Sequence, residues 1–181
     1  NRKNWLPGCL KGSWKVPAWS VAARVTITNR AINRGSLTVA PAIDPEPGAL
    51  REALHAHCFA CAPDKPGGLG LVFHTDGEGI TRGAWRPSPG FQSYDGRVHG
   101  GILATLIDAS MVHALFARGI AGVTAEMKIR YLTPIALGTP VEAVAWLETQ
   151  KLTMYGLRAE LRQSGRLAAR ATARFMAIAA A

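Results

Sequence analysis

The feature that most constrains the fold of this chain is a stretch from Gly100 to Ala117 that reads as one long helix. His99-Gly100-Gly101 opens this helix, and Arg118-Gly119 ends it. Only Asp108 and His113 interrupt its apolar character, which is still enough to argue against a membrane span. The large apolar residues lie nearly all round the helix and are Ile102, Leu103, Leu106, Ile107, Met111, Val112 and Leu115. A helix of this kind must be enclosed by the rest of the protein rather than laid on its surface.

Strand patterns lie on both sides of this helix. Before it, residues 69–75 and 80–86 flank a predicted hairpin turn at residues 76–79. After it come four more strand patterns, at residues 124–131, 141–149, 155–162 and 167–178. An antiparallel sheet must bury one apolar face, and this helix is the element long enough to cover it. The pattern predicts an α+β hotdog fold, an antiparallel sheet of about six strands wrapped around one long central helix.

A proline-rich segment at residues 41–48 divides the chain into a basic N-terminal extension, residues 1–47, and a hotdog domain, residues 48–181. Residues 1–43 contain seven Lys or Arg and no acid, so most of the net charge of +9 belongs to the extension. We expect the extension to be poorly ordered, and no nucleic-acid motif accompanies its charge. It is native sequence, an organelle transit peptide by composition, or sequence from upstream of the true start.

The three cysteines, Cys9, Cys58 and Cys61, are too few for a disulfide framework, which indicates a reducing compartment. Together with the lack of a secretory signal pattern, this predicts a cytoplasmic protein with no membrane and no nucleic-acid partner. Cys58 and Cys61 follow His55 and His57, which raises the question of zinc. Structural zinc sites usually draw ligands from two separated pairs, so we expect neither a metal nor another cofactor.

Asp108 is the residue that fits the apolar helix least. Its neighbours one turn away are Ala104, Thr105, Met111 and Val112, and none of them is basic. A carboxylate in such a place must be paired, wetted by a cleft or kept for chemistry. The alternative is a solvent-facing stripe on the helix.

Gly100 and Gly101 at the helix start are the second candidate feature. Their small size lets another group approach the backbone, and the free N–H groups of a helix start can polarise a carbonyl. A plain turn into a helix is the alternative. Gly101 and Asp108 lie about 10 Å apart along the axis, too far to act on one carbonyl. A shared site therefore requires two antiparallel copies of the helix, which means at least a dimer.

Four segments, in order, resemble PaaI-like hotdog acyl-CoA thioesterases. The most specific is Val98-His-Gly-Gly-Ile-Leu-Ala-Thr-Leu-Ile-Asp108. The others are residues 58–71, the loop at 92–96 and the strand at 124–134, and together the segments cover about residues 55–178. The resemblance implies a hydrolase acting on an acyl-CoA substrate as a homodimer or homotetramer.

The resemblance also implies roles for individual residues. Asp108 would be the nucleophile or general base, the Gly101 N–H would polarise the thioester carbonyl, and Thr124 would orient the attacking water. His99 and Gly100 would shape the loop at the helix start, and Gln92 would line the pocket. Two positions depart from the family pattern: Ala109 replaces a common second acid, and Ser93, next to Gln92, replaces a commoner Gly or Asn.

Three basic residues are candidate contacts for the phosphates of coenzyme A. Lys128 and Arg130 alternate with apolar residues and so share the polar face of their predicted strand with Thr124. Arg97 precedes the helix. Guanidinium and ammonium groups are suited to phosphate binding, although each of the three also fits a solvated surface position.

The sequence is also compatible with two other functions. A hotdog enoyl-CoA hydratase needs an Asp and His pair, and His113 is the downstream candidate. Five residues turn a helix by about 140° relative to Asp108, so the two cannot pair within one chain. A non-catalytic module that binds acyl-CoA is the other rival, and an unpaired Asp108 argues against it.

Overall fold

The computed structural model of this protein describes residues 49–178, so the predicted extension at residues 1–47 lies outside the described residues. The order of two strands, one long helix and four strands is confirmed. The elements are α1 (Ala49–His55), β1 (Phe73–Thr75), β2 (Thr81–Trp85), α2 (Gly100–Phe116), β3 (Gly122–Tyr131), β4 (Val141–Lys151), β5 (Met154–Gln163) and β6 (Arg166–Ala177). One turn of 3-10 helix, Pro89–Phe91, precedes α2.

The six strands form one antiparallel sheet in the order β1-β2-β4-β5-β6-β3. The predicted hairpin turn is present, because Asp76 and Ile80 pair across it and the Asp76 carboxylate accepts two backbone N–H bonds. Helix α2 packs against one face of the sheet, in contact with β1 to β5. This arrangement confirms the α+β hotdog fold expected from the sequence.

Small side chains on the sheet let α2 pack closely against it. The inner faces of β4, β5 and β6 carry alanines at buried positions, namely Ala143, Ala145, Ala159, Ala171 and Ala173. The opposing helix supplies the bulk, and Leu106, Ile107, Met111 and Leu115 are almost fully buried. Large residues on one layer opposite small ones on the other let the two layers pack closely.

Strand β3 contains a β-bulge that changes which side chains share a face. Thr124 pairs with the fully buried Phe175, whereas Glu126 pairs with the exposed Arg174, and Ala125 is the extra residue between them. An extra residue in a ladder shifts the alternation of side chains by one position. Thr124 therefore points to the inner face, with α2.

The same shift makes one prediction from the sequence wrong. Lys128 and Arg130 pair with Thr172 and Arg170, which lie on the outer, solvent-exposed face of β6. They do not share a face with Thr124, because strict alternation over residues 124–130 fails at the bulge.

The described part of the chain does not enclose α2 on every side. A strip one turn apart along the helix stays partly open, and it is formed by Gly101, Thr105 and Asp108. We call it the open strip. Most of the remaining helix surface is buried by the sheet and by the segment between α1 and β1, while Ile102 and Ala104 are partly buried.

His113 projects from another side of α2 and packs between aromatic rings. Its ring lies 4.7 Å from that of Phe73 and 5.7 Å from that of Phe116, measured between centroids. Burial lowers the pKa of His113 from 6.5 to about 4, and the charges of Arg51 and His55 act in the same direction. His113 is therefore a neutral core residue at physiological pH.

Replacing Leu115 with Ala should destabilise the fold by about 2–5 kcal/mol, because the side chain is 0% exposed and its removal leaves a cavity. Leu152→Ala is the matched control, since Leu152 is 94% exposed and should change stability by less than about 0.5 kcal/mol. Urea denaturation of both variants measures the difference. Equal values for the two would contradict the described core.

Acid should destabilise the folded protein through His113. Between pH 6.5 and about 4 the unfolded chain binds a proton at His113 that the folded chain excludes. Stability is therefore complete above pH 6.5 and falls as the pH drops, by about 3 kcal/mol in total for this group. Denaturation at pH 7.5 and pH 5 should show a smaller loss in His113→Leu than in wild type. His57→Gln, at an exposed histidine, should leave the pH dependence unchanged.

Candidate active site

The start of α2 is held by the residue that precedes it. His99 has extended backbone (φ −64°, ψ 132°) and caps the helix. Its carbonyl accepts hydrogen bonds from the N–H groups of Ile102 (3.0 Å) and Leu103 (3.2 Å). Its side chain also takes part, because Nδ1 accepts a hydrogen bond from the Gly101 N–H at 2.9 Å. The neutral imidazole therefore carries its proton on Nε2 in this arrangement.

These bonds distinguish the two glycines. The Gly101 N–H, to which the family resemblance assigns carbonyl polarisation, is already donating to His99. The N–H of Gly100 has no acceptor among the described residues. The Gly100 N–H and the His99 carbonyl belong to the same peptide group. Because that carbonyl accepts two hydrogen bonds, the peptide is polarised, which makes the Gly100 N–H a stronger donor. The unengaged donor at this helix start is thus Gly100.

Tyr131 is a residue of this region that the sequence analysis did not select. Its hydroxyl donates to the carbonyl of Gly100 at 2.8 Å, so the last residue of β3 is tied to the first residue of α2. The Gly100–Gly101 peptide is consequently bonded at both ends, by Tyr131 and by His99. Partial burial raises the pKa of Tyr131, which keeps the hydroxyl a donor. The alternation of β3 could have placed Tyr131 inward, but not against this carbonyl.

Asp108 and Thr124 form the second part of the site. The Thr124 hydroxyl donates to Oδ1 of Asp108 at 2.5 Å, which joins the middle of α2 to the beginning of β3. Asp108 is half-buried, and no cationic side chain pairs with it among residues 49–178. Its second oxygen, Oδ2, makes no hydrogen bond to a described residue. The carboxylate therefore has one oxygen held and the other open for a reacting group.

The two parts lie on one helix but do not meet. Gly101 and Asp108 both belong to the open strip, seven residues apart, which is about 10 Å along the axis. Groups that act on one carbonyl must each approach it to about 3 Å. One chain therefore presents half of a site at each end of the open strip.

The loop before α2 contains three more of the predicted residues, Gln92, Ser93 and Arg97. A bridge between Gln92 and Val98 closes this loop, and the Gln92 side chain accepts the Gly96 N–H at 3.1 Å. The backbone N–H of Ser93 donates to the Arg97 carbonyl at 2.9 Å. Gln92 thus stabilises its own loop beside the helix start, and Arg97 is exposed on the same loop.

Other predicted residues are not brought together. Lys128 and Arg130 lie on the outer face of the sheet, away from Asp108. His113 packs against Phe73 and Phe116, so it forms no pair with Asp108.

Within the described range, no helix is both long and apolar enough to cross a membrane. The cytoplasmic location stays a prediction.

Comparison with known families and proteins bears on the same residues. The family described as Thioesterase superfamily matches residues 95–169, which include the end of the loop before α2, α2 itself and β3 to β5. Acyl-coenzyme A thioesterase 13 of Mus musculus is 36% identical over 61 residues, which are 33% of this chain and 44% of the mouse protein. The matched part thus spans less than half the length of that curated relative.

Solved structures share the fold over a larger part of the chain. A crystal structure of a thioesterase superfamily protein has a TM-score of 0.64 and 25% identity, covering 66% of this chain and 63% of that chain. The phenylacetic acid degradation protein PaaI from Thermus thermophilus has a TM-score of 0.56 and 27% identity, covering 61% of this chain and 95% of its own. Residues 95–169 therefore carry thioesterase-superfamily sequence on a hotdog fold, which confirms the resemblance to PaaI-like hotdog thioesterases.

Proposed function

We propose that this protein is an acyl-CoA thioesterase, which hydrolyses a thioester to a free acid and coenzyme A. One observation carries the proposal: the unengaged Gly100 N–H lies beside one end of the open strip of α2, and a carboxylate held by Thr124 lies at the other end. The family match and the mouse relative support thioester hydrolysis and an acyl-CoA substrate.

Asp108 acts on the attacking water. Because Thr124 occupies Oδ1, the other oxygen is available to accept a proton from a water molecule. The Thr124 hydroxyl uses its proton on Asp108 and keeps lone pairs that can accept a second hydrogen from the same water. This arrangement favours the role of general base over that of nucleophile, since it holds a water where the carboxylate would otherwise attack.

The start of α2 acts on the carbonyl. The Gly100 N–H donates to the thioester oxygen, and the helix dipole adds to the stabilisation of the charge that develops there. Movement of the His99 ring would add the Gly101 N–H as a second donor. Water attack forms a tetrahedral intermediate, which expels the thiolate of coenzyme A. The thiolate then recovers the proton taken by Asp108.

The active unit is an oligomer in this proposal. A second copy of α2, packed antiparallel on the open strip, brings one chain's Asp108 to the other chain's Gly100. The partial exposure of the open strip within one chain supports such packing. A homodimer satisfies the geometry, and a homotetramer is a pair of such dimers.

The coenzyme A phosphates are bound near the helix start, where Arg97 is exposed on the loop before α2. Lys128 and Arg130 of the same chain lie on the opposite face of the sheet from Asp108, so we assign them no direct part in phosphate binding.

Hydration of an enoyl-CoA is disfavoured because His113 packs against Phe73 and Phe116, away from Asp108. A protein that only binds acyl-CoA has no use for a partly exposed carboxylate held by Thr124.

Replacing Asp108 with Asn should lower kcat by about 10²- to 10⁴-fold, because the amide keeps the shape but cannot accept the proton of the water. Thiol release from short, medium, long and aromatic acyl-CoAs measures this loss and ranks the substrates. Asp64→Asn is the matched control, since Asp64 is exposed in a turn far from α2 in sequence. Equal turnover by both variants would remove Asp108 from the mechanism, and water addition without thiol release would favour the hydratase.

The donor at the helix start can be tested one atom at a time. Gly100→Pro removes the N–H at a helix position that tolerates proline, and the extended backbone of His99 suits a residue before proline. We expect a loss of about 10²- to 10³-fold in kcat, the effect of removing one oxyanion donor. Gly100→Ala keeps the N–H, and its Cβ would lie 3.8 Å from Tyr131, an ordinary contact. The alanine variant should therefore stay active.

The same variants test the shared site. Chains with Asp108→Asn and chains with Gly100→Pro, each with its own affinity tag, are co-expressed and the mixed dimers purified through both tags. Each mixed dimer has one intact site out of two, so it should recover about half of the wild-type activity. Mixed dimers as inactive as either parent would contradict a site built from two chains.

A further inference from the structure

A second cluster of reactive side chains lies in the segment after α1. One ring nitrogen of His55 and the Sγ atoms of Cys58 and Cys61 all lie within 4.8 Å of one another. The distance between Cys61 Sγ and His55 Nδ1 is 3.8 Å. Cys61 is 3% exposed, while His55 and Cys58 are half-buried. These three residues, the His-Cys-Cys cluster, have no part in the proposed hydrolysis.

Backbone turns bring the cluster together. The Cys58 N–H donates to the carbonyl of His55 at 3.1 Å, and the Ala62 N–H donates to that of Cys58 at 3.0 Å. Two successive backbone turns therefore bring His55, Cys58 and Cys61 close to one another. The segment is also anchored from outside, because the Leu69 N–H donates to the Phe59 carbonyl at 3.0 Å. The cluster is thus held by backbone bonds rather than by the three side chains alone.

One of the three spacings in the cluster is close to that around a tetrahedral zinc ion, and the others are at most 4.8 Å. With Zn–S bonds of about 2.3 Å and Zn–N bonds of about 2.0–2.1 Å, neighbouring ligand atoms lie about 3.6 Å apart for N and S and about 3.8 Å for two S. The 3.8 Å between Cys61 Sγ and His55 Nδ1 is close to the first value. Two thiolates and one imidazole form a donor set that zinc binds well.

We propose that His55, Cys58 and Cys61 form a zinc site with three protein ligands. Binding converts two thiols to thiolates and releases two protons, with no change in oxidation state. A water molecule would complete the tetrahedral set, and a cavity of about 680 Å³ is lined in part by Cys61. The sequence offered His57 beside His55 and no second, separated ligand pair, which predicts no metal; in the structure His57 is exposed and outside the cluster.

The surroundings give the site a structural role. The edge of the His55 ring packs against Phe116, the last residue of α2, with ring centroids 4.9 Å apart. Zinc would therefore fix the segment between α1 and β1 onto the C-terminal end of α2. Both cysteines are free in this structure. A disulfide between them would consume both thiols and exclude zinc binding.

The test measures zinc in the full chain, purified without added metal, and then titrates the chelated protein with zinc alone. We expect about one zinc per chain and a lower Tm after chelation. Loss of a residue that only hydrogen-bonds to a metal ligand lowers metal affinity by about 10- to 100-fold. Because Cys58 would itself be a ligand, Cys58→Ser should lower zinc affinity by at least about 100-fold. Cobalt in place of zinc should give a thiolate-to-cobalt absorption band that weakens in Cys58→Ser.

Two controls keep the test specific. His57→Gln removes a histidine just outside the cluster, and Cys9→Ser removes the cysteine outside the described residues. Both should keep zinc and its stabilisation. Zinc affinity that is unchanged in Cys58→Ser, or no zinc bound by wild type, would overturn the proposal. A Cys58–Cys61 disulfide found by alkylation and mass spectrometry of protein from a reducing lysate would also overturn it. None of these readouts depends on thioester hydrolysis.

Discussion

The structure depends on the burial of α2 against a sheet face lined by alanines. Because the helix is apolar on nearly every side, it gains most from the hydrophobic effect when it is enclosed. The small residues on β4, β5 and β6 let it approach closely, and Leu106, Ile107, Met111 and Leu115 fill the space between the layers. This packing fixes the rotation of the helix, and the rotation decides which residues form the open strip.

The open strip turns a packing constraint into a functional one. A chain that buries most of α2 but leaves Gly101, Thr105 and Asp108 partly exposed presents a polar line along an otherwise apolar helix. The bulge at Ala125 then directs Thr124 toward this line, while the bases that follow turn outward. One inserted residue thus separates the group that holds Asp108 from the charges on the outer surface.

Hydrogen bonding at the helix start shows how far local sequence can be interpreted. The motif His99-Gly100-Gly101 predicts a helix start with free N–H groups, and in the structure one of the two, that of Gly100, is unengaged. The motif does not reveal that His99 engages one N–H and leaves the other free. That choice depends on the rotamer of His99 and on Tyr131, which arrives from β3 and bonds the Gly100 carbonyl. Residues 31 positions apart in the chain meet there, so no local pattern contains the information.

The sequence by itself determined the element order, the long apolar helix, the hotdog fold and the selection of Asp108, because periodicity and an out-of-place charge are local properties. The tertiary structure decided the face on which Thr124, Lys128 and Arg130 lie, since a bulge depends on pairing with β6. It also decided that His55, Cys58 and Cys61 converge while His57 does not. The physical reason is the same in each case: side-chain direction is set by backbone pairing and turns, which a linear spacing does not specify.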